Sequence, residues 1–189
     1  MTQHSACYEK ILLEIQQEFP RFRIVEKQNH RLSHLIDLCL KTLTWGGQCS
    51  YLTRYHTVLG STLYVAPTWK TMDAGERYVL LCHERIHLRQ RQRFSLVGMA
   101  FLYLIPLLPL GLAYGRARLE WEAYCATLQA MTELYGIDSA RDPTFRREIV
   151  ERFLSADYGW MWPFPRAVGR WYDLEIARIE SDVGPKSTM

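Results

Sequence analysis

The sequence predicts an α+β fold that is mainly helical, with a small antiparallel sheet and an apolar helical hairpin. Three observations lead there. Apolar residues recur at helical spacing through most of the chain, and the β-rich runs are short and confined to its N-terminal part. One uncharged stretch, Phe94 to Gly115, is interrupted by Pro106 and Pro109. With 189 residues, 48% of them hydrophobic, no repeat and no linker, the chain suits a single domain over residues 1–189.

Residues 5–19 place Tyr8, Ile11, Leu12, Ile15 and Phe19 on one helical stripe, which Pro20 stops. Phe22-Arg23-Ile24-Val25 is short and alternating, a strand pattern. Leu32, Leu35, Ile36, Leu38, Cys39 and Leu43 define a second helical stripe, ended by Gly46-Gly47. Two β-prone runs, 50–58 and 61–66, meet at Gly60 and read as a hairpin. Pro67 cannot donate to a ladder, so the second run is expected to be an edge strand.

Asp73 with Glu76 three residues on resembles a capping box, which starts a helix near Ala74. A further helix is expected from Arg116 to Tyr135, closed by Gly136, and another after the Asp142-Pro143 pair through Leu154. A Trp/Pro-rich loop, Tyr158 to Pro165, precedes a last amphipathic helix near 167–180.

A net charge of +3 lacks the concentrated basic patch of a nucleic-acid surface, so no nucleic-acid partner is expected. The cysteines Cys7, Cys39, Cys49, Cys82 and Cys125 are odd in number and have no CxxC spacing, which argues against a disulfide framework and for a reducing compartment. The N-terminal residues lead into a charged amphipathic segment without the basic and apolar regions of a secretion signal. A cytoplasmic location is therefore expected.

The capped helix carries His83-Glu84-Arg85-Ile86-His87. Residues four apart share a helical face, so the imidazoles of His83 and His87 can aim at one point. Glu84, beside the first histidine, is positioned to act as general base toward water activated by a metal ion there. The plain alternative is a pair of surface histidines on an amphipathic helix. Catalytic zinc usually takes three protein ligands and keeps one position open, so a third ligand is sought downstream. Glu120 shares a helical face with Ala123, Tyr124, Leu128 and Met131, whereas Glu122 lies on the polar side. An inward carboxylate needs a partner, either a metal or an arginine such as Arg116. His30, His34 and His56 have no ligand spacing and are expected to be structural or surface residues.

A His-Glu-x-x-His helix followed by a helix bearing a glutamate resembles the gluzincin metallopeptidases. Arg118-Leu119-Glu120-Trp121-Glu122-Ala123-Tyr124 is similar to the signature of the membrane-bound CAAX-prenyl and heat-shock proteases, with Tyr124 where those place aspartate. The small size looks like that of the minigluzincins. The resemblance covers about Ser61 to Tyr135. It implies a zincin-like domain in which Zn²⁺ is bound by His83, His87 and Glu120, Glu84 is catalytic, and a peptide or protein is the substrate. It further implies that an extended substrate pairs with the sheet edge at Leu63 to Ala66. Tyr158 is the candidate oxyanion stabiliser, with a packed aromatic loop as the alternative.

The uncharged run Phe94 to Gly115 is long enough to raise a transmembrane helix. A full crossing would put His87 and Glu120 on opposite sides of a bilayer ~30 Å thick, which the shared ion forbids. Pro106-Leu107-Leu108-Pro109 instead suits a reversal, giving a hairpin whose apolar tip is buried, covered by a partner, or dipped into one leaflet as a peripheral anchor. The functional expectation is a zinc-dependent peptidase. The competing one is a non-catalytic zinc-containing docking protein that keeps the fold.

Overall fold

In the computed structural model, residues 2–29, 56–104, 114–155 and 161–183 are described, and the chain divides into two compact units, residues 1–95 and 96–189. The expected helix from Leu32 to Leu43, most of the β-run 50–58, the reversal at Pro106 to Pro109 and Tyr158 lie outside the described residues.

The first unit opens with helix α1, Gln3–Glu18. The Thr2 hydroxyl accepts from the Ser5 amide at its start, and the helix stops where the Phe19 amide bonds back to Ile15. Pro20, with no N–H to donate, cannot extend it. A mixed three-stranded sheet follows: β1 (Arg23–Glu26), β2 (Thr57–Leu59) and β3 (Thr62–Val65), in the order β1-β3-β2. The expected hairpin is present, antiparallel between β2 and β3. Its two-residue loop has Gly60 at φ 68, the left-handed backbone that glycine reaches without cost.

β1 joins β3 in parallel, which makes the sheet mixed where an antiparallel one was expected, and makes β3 the central strand. The edge-strand expectation is thereby overturned, along with substrate pairing along Leu63 to Ala66, since the ladder groups of β3 already bond to strands on both sides. Pro67 sits beyond Val65, at the start of a 3-10 turn, Pro67–Lys70, where its missing N–H removes no ladder bond. Ile24, Leu63 and Val58 face one another across the three strands. On that side they join Ile11, Ile15, Phe19, Leu81 and Leu88 in one apolar core.

Helix α2, Ala74–Leu104, begins in the first unit. The second unit contains α3 (Tyr114–Tyr135), the one-turn α4 (Ile137–Ala140), α5 (Pro143–Leu154) and α6 (Pro165–Val183). Asp142 caps α5 by accepting from the Thr144 and Phe145 amides, and Gly136 closes α3 at φ 85. The core of this unit is aromatic. Ala117, Trp121, Tyr124 and Leu128 form one stripe of α3, packed with Phe153, Met161, Val168 and Tyr172. Among the described residues, no helix is long and apolar enough to cross a membrane.

Candidate metal centre

The helix bearing the histidine motif is fixed at its start and along one side. Asp73 Oδ1 accepts from the Glu76 amide and Glu76 Oε2 accepts from the Asp73 amide, both at 2.8 Å, a reciprocal capping box. Arg77 donates back to the Trp69 carbonyl at 3.0 Å and so ties the first turn to the preceding 3-10 turn. Leu81 and Leu88, seven residues apart, press one stripe of α2 into the core. Arg85, inside the motif, donates to Glu14 and Glu18 of α1 at 2.7 Å each, and Arg89 donates to Glu18 at 2.6 Å.

That anchoring leaves His83 and His87 side by side and partly exposed, with their Nε2 atoms 3.2 Å apart. Two nitrogens bound at about 2.0–2.1 Å to a tetrahedral ion would lie ~3.3–3.4 Å apart, so the pair has the separation that a shared zinc requires. The same distance suits an N–H···N hydrogen bond between the rings. The His87 Nδ1 atom lies 3.0 Å from Gln90 Oε1. A carbonyl oxygen can only accept, so Nδ1 carries the proton and Nε2 presents its lone pair toward His83. Glu84 is on the stripe of Leu81 and Leu88 and is 6% exposed.

In the second unit, α3 carries a second buried stripe beside its aromatic one: Glu120, Ala123, Thr127 and Ala130. Glu120 is 8% exposed, while Glu122 is solvent-facing, as the helical spacing predicts. One ligand atom from each of His83, His87 and Glu120 lies within 4.8 Å of the other two, a group able to hold a metal ion. Two imidazole nitrogens and a carboxylate oxygen are a donor set that zinc accepts. Tyr124 is buried in the aromatic core, where its hydroxyl accepts from Arg152 at 3.2 Å.

Sequence reasoning passed over two features. Gln90 follows His87 by three residues on the same helical face, and that spacing was the available signal for an imidazole partner. The tether of Arg85 to Glu14 and Glu18 spans about seventy positions and has no local signal. His56, expected to be a structural or surface residue, accepts from the Ala66 amide at 3.3 Å beside the end of β3. Comparison of the chain with protein-family models, curated proteins and solved structures finds no match.

Proposed function

We propose that the chain is a zinc-dependent metallopeptidase of gluzincin type, with His83, His87 and Glu120 as ligands and Glu84 as general base. The observation that carries this reading is the grouping of three suitable ligand atoms, two of them on the helical turn that also bears Glu84. Zinc at such a group supplies Lewis-acid chemistry, lowering the pKa of water toward ~7 and polarising a carbonyl. Gln90 orients the second imidazole through its Nδ1 proton. Arg85 and Arg89 hold the helix against α1, so the imidazoles keep their spacing while substrate is handled. Glu84 takes the proton from the attacking water and returns it to the departing amine. The substrate is a peptide or protein, met in a reducing, cytoplasmic setting in keeping with the free thiols of Cys7 and Cys125 among the described residues.

The test separates metal binding from catalysis. Purified protein should carry close to one zinc per chain, and His83→Ala and Glu120→Ala should each lose it. Glu84→Gln should keep the metal while peptide hydrolysis falls by on the order of 10²–10⁴-fold. Unchanged metal in both ligand variants would remove the reading altogether. Retained zinc with no measurable peptidase activity in the wild type would leave the non-catalytic zinc protein.

A further inference from the structure

The second unit holds apolar rings in solvent beside unpaired cations. Tyr114, the first residue of α3, is 46% exposed and Phe164 is 47% exposed. Both rings lie 5.0 Å, centroid to centroid, from Trp162, which stacks on Trp171 at 6.3 Å. The Arg118 guanidinium lies over the outer part of this array, 5.7 Å from the centre of the Trp171 ring.

Phe164 is held outward. It lies between Pro163 and Pro165, and the turn is pinned because the Trp162 amide donates to the Phe153 carbonyl and the Phe164 amide donates to the Trp162 carbonyl. The Ala167 amide then donates to the Phe164 carbonyl as α6 begins. With the backbone pinned on both sides, the Phe164 ring packs edge-on against Trp162 and still leaves about half of its residue surface in water, at 47% exposure.

Cations surround the same end of α6. A groove between α5 and α6 is lined by Arg146, Arg147, Arg166 and Arg170, against the acids Glu151 and Asp173. Arg146 is committed to Asp173 by two hydrogen bonds. Arg166 and Arg170, both exposed, make no ion pair among the described residues. Their charge adds to the partial positive charge of the helix start.

We propose that this surface docks on an anionic phospholipid bilayer, with Tyr114 and Phe164 at the headgroup level and Arg166 and Arg170 on the lipid phosphates. Amphipathic rings flanked by arginines match the two layers of a membrane interface, apolar inward and negatively charged outward. Continuity favours lipid over an acidic protein. The sequence from Phe94 to Gly115 carries no charged side chain, a composition that suits the apolar layer of a bilayer and offers nothing to an acidic protein. The proposal is independent of the peptidase reading, and Glu84→Gln should dock like the wild type.

Co-sedimentation of the full chain with vesicles tests it. Retention is expected on phosphatidylcholine mixed with phosphatidylglycerol, and much less on phosphatidylcholine alone. At low salt, Arg166→Gln with Arg170→Gln should weaken partitioning on the order of thirtyfold, given about fivefold for each cation near such a surface. Phe164→Ser should weaken it by about tenfold. Leu13→Ser, at an exposed apolar residue of α1, should change nothing, and near-ultraviolet circular dichroism should be native in every variant. Equal retention on neutral and anionic vesicles would overturn the proposal, as would unchanged retention of the double arginine variant. Displacement by millimolar inorganic phosphate would also overturn it, assigning the arginines to a small anion. Retention on polyglutamate but not on vesicles would do the same in favour of an acidic protein.

Discussion

Gln90 decides which nitrogen of His87 faces its neighbour. The amide oxygen accepts from Nδ1–H at 3.0 Å and Gln90 as a residue is only 3% exposed, so solvent is a poor substitute for it. Replacing it with leucine keeps the volume and removes the acceptor. Gln90→Leu should therefore weaken zinc binding by on the order of tenfold or more, read by competition with a chromophoric chelator. Unchanged affinity would mean that the ring is oriented by packing alone. Glu120 makes the corresponding point in the second unit, since a carboxylate at 8% exposure among alanines is expensive unless something partners it.

At the scale of elements, α2 owes its position to a cap, an apolar stripe and an ionic tether. Asp73→Ala removes one half of the capping box and should cost about 1 kcal/mol, seen as a lower urea midpoint with an unchanged slope. An undiminished midpoint would show that packing alone fixes the start of the helix. The tether predicts a pH dependence. The hydrogen bond from Arg89, with that from Arg85 and the charges of both, holds the Glu18 carboxyl below its ordinary pKa of 4.5. A lowered folded-state pKa gives stability that is present above about 4.5 and is lost as pH falls through the folded value. Glu18→Gln should thus be less stable than the wild type at pH 7, and the gap should close as acidification carries the pH below 4.5 and through the lowered folded-state value. A gap that stayed constant with pH would exclude the charge as its source.

In the whole molecule, each unit has its own core, aliphatic around the sheet and α1 in the first, aromatic between α3, α5 and α6 in the second. A metal bound only by the folded chain adds stability by mass action, about 2.7 kcal/mol at a hundredfold excess over the dissociation constant. For a chain of this length that corresponds to roughly 5–10 °C in melting temperature. Chelation should lower the wild-type midpoint by that amount and leave His83→Ala and Glu120→Ala unmoved. A chelator effect of equal size in those variants would place the stabilising metal elsewhere.

Most of the fold was legible because its signals are local. The helical stripes of the described residues, the Asp73/Glu76 cap, the Asp142 cap and the turn at Gly60 act within a few residues, and each lies where the spacing predicts. The histidine pair and the inward face of Glu120 were legible for the same reason, since four-residue and three-residue intervals are properties of any helix. The order of the strands was not. Pairing β1 with β3 joins Arg23 to Thr62 across almost forty residues, and no short-range preference encodes which edge a distant strand will take. That one choice moved Leu63 to the centre of the sheet. The clamp of Arg85 on Glu14 and Glu18 is of the same kind, formed only once α1 and α2 have packed. Among the described residues, sequence by itself settled what each segment becomes and which face it buries, because backbone geometry repeats over a few residues. Tertiary structure alone decided which distant groups meet, because those meetings follow from competition among non-local surfaces for burial.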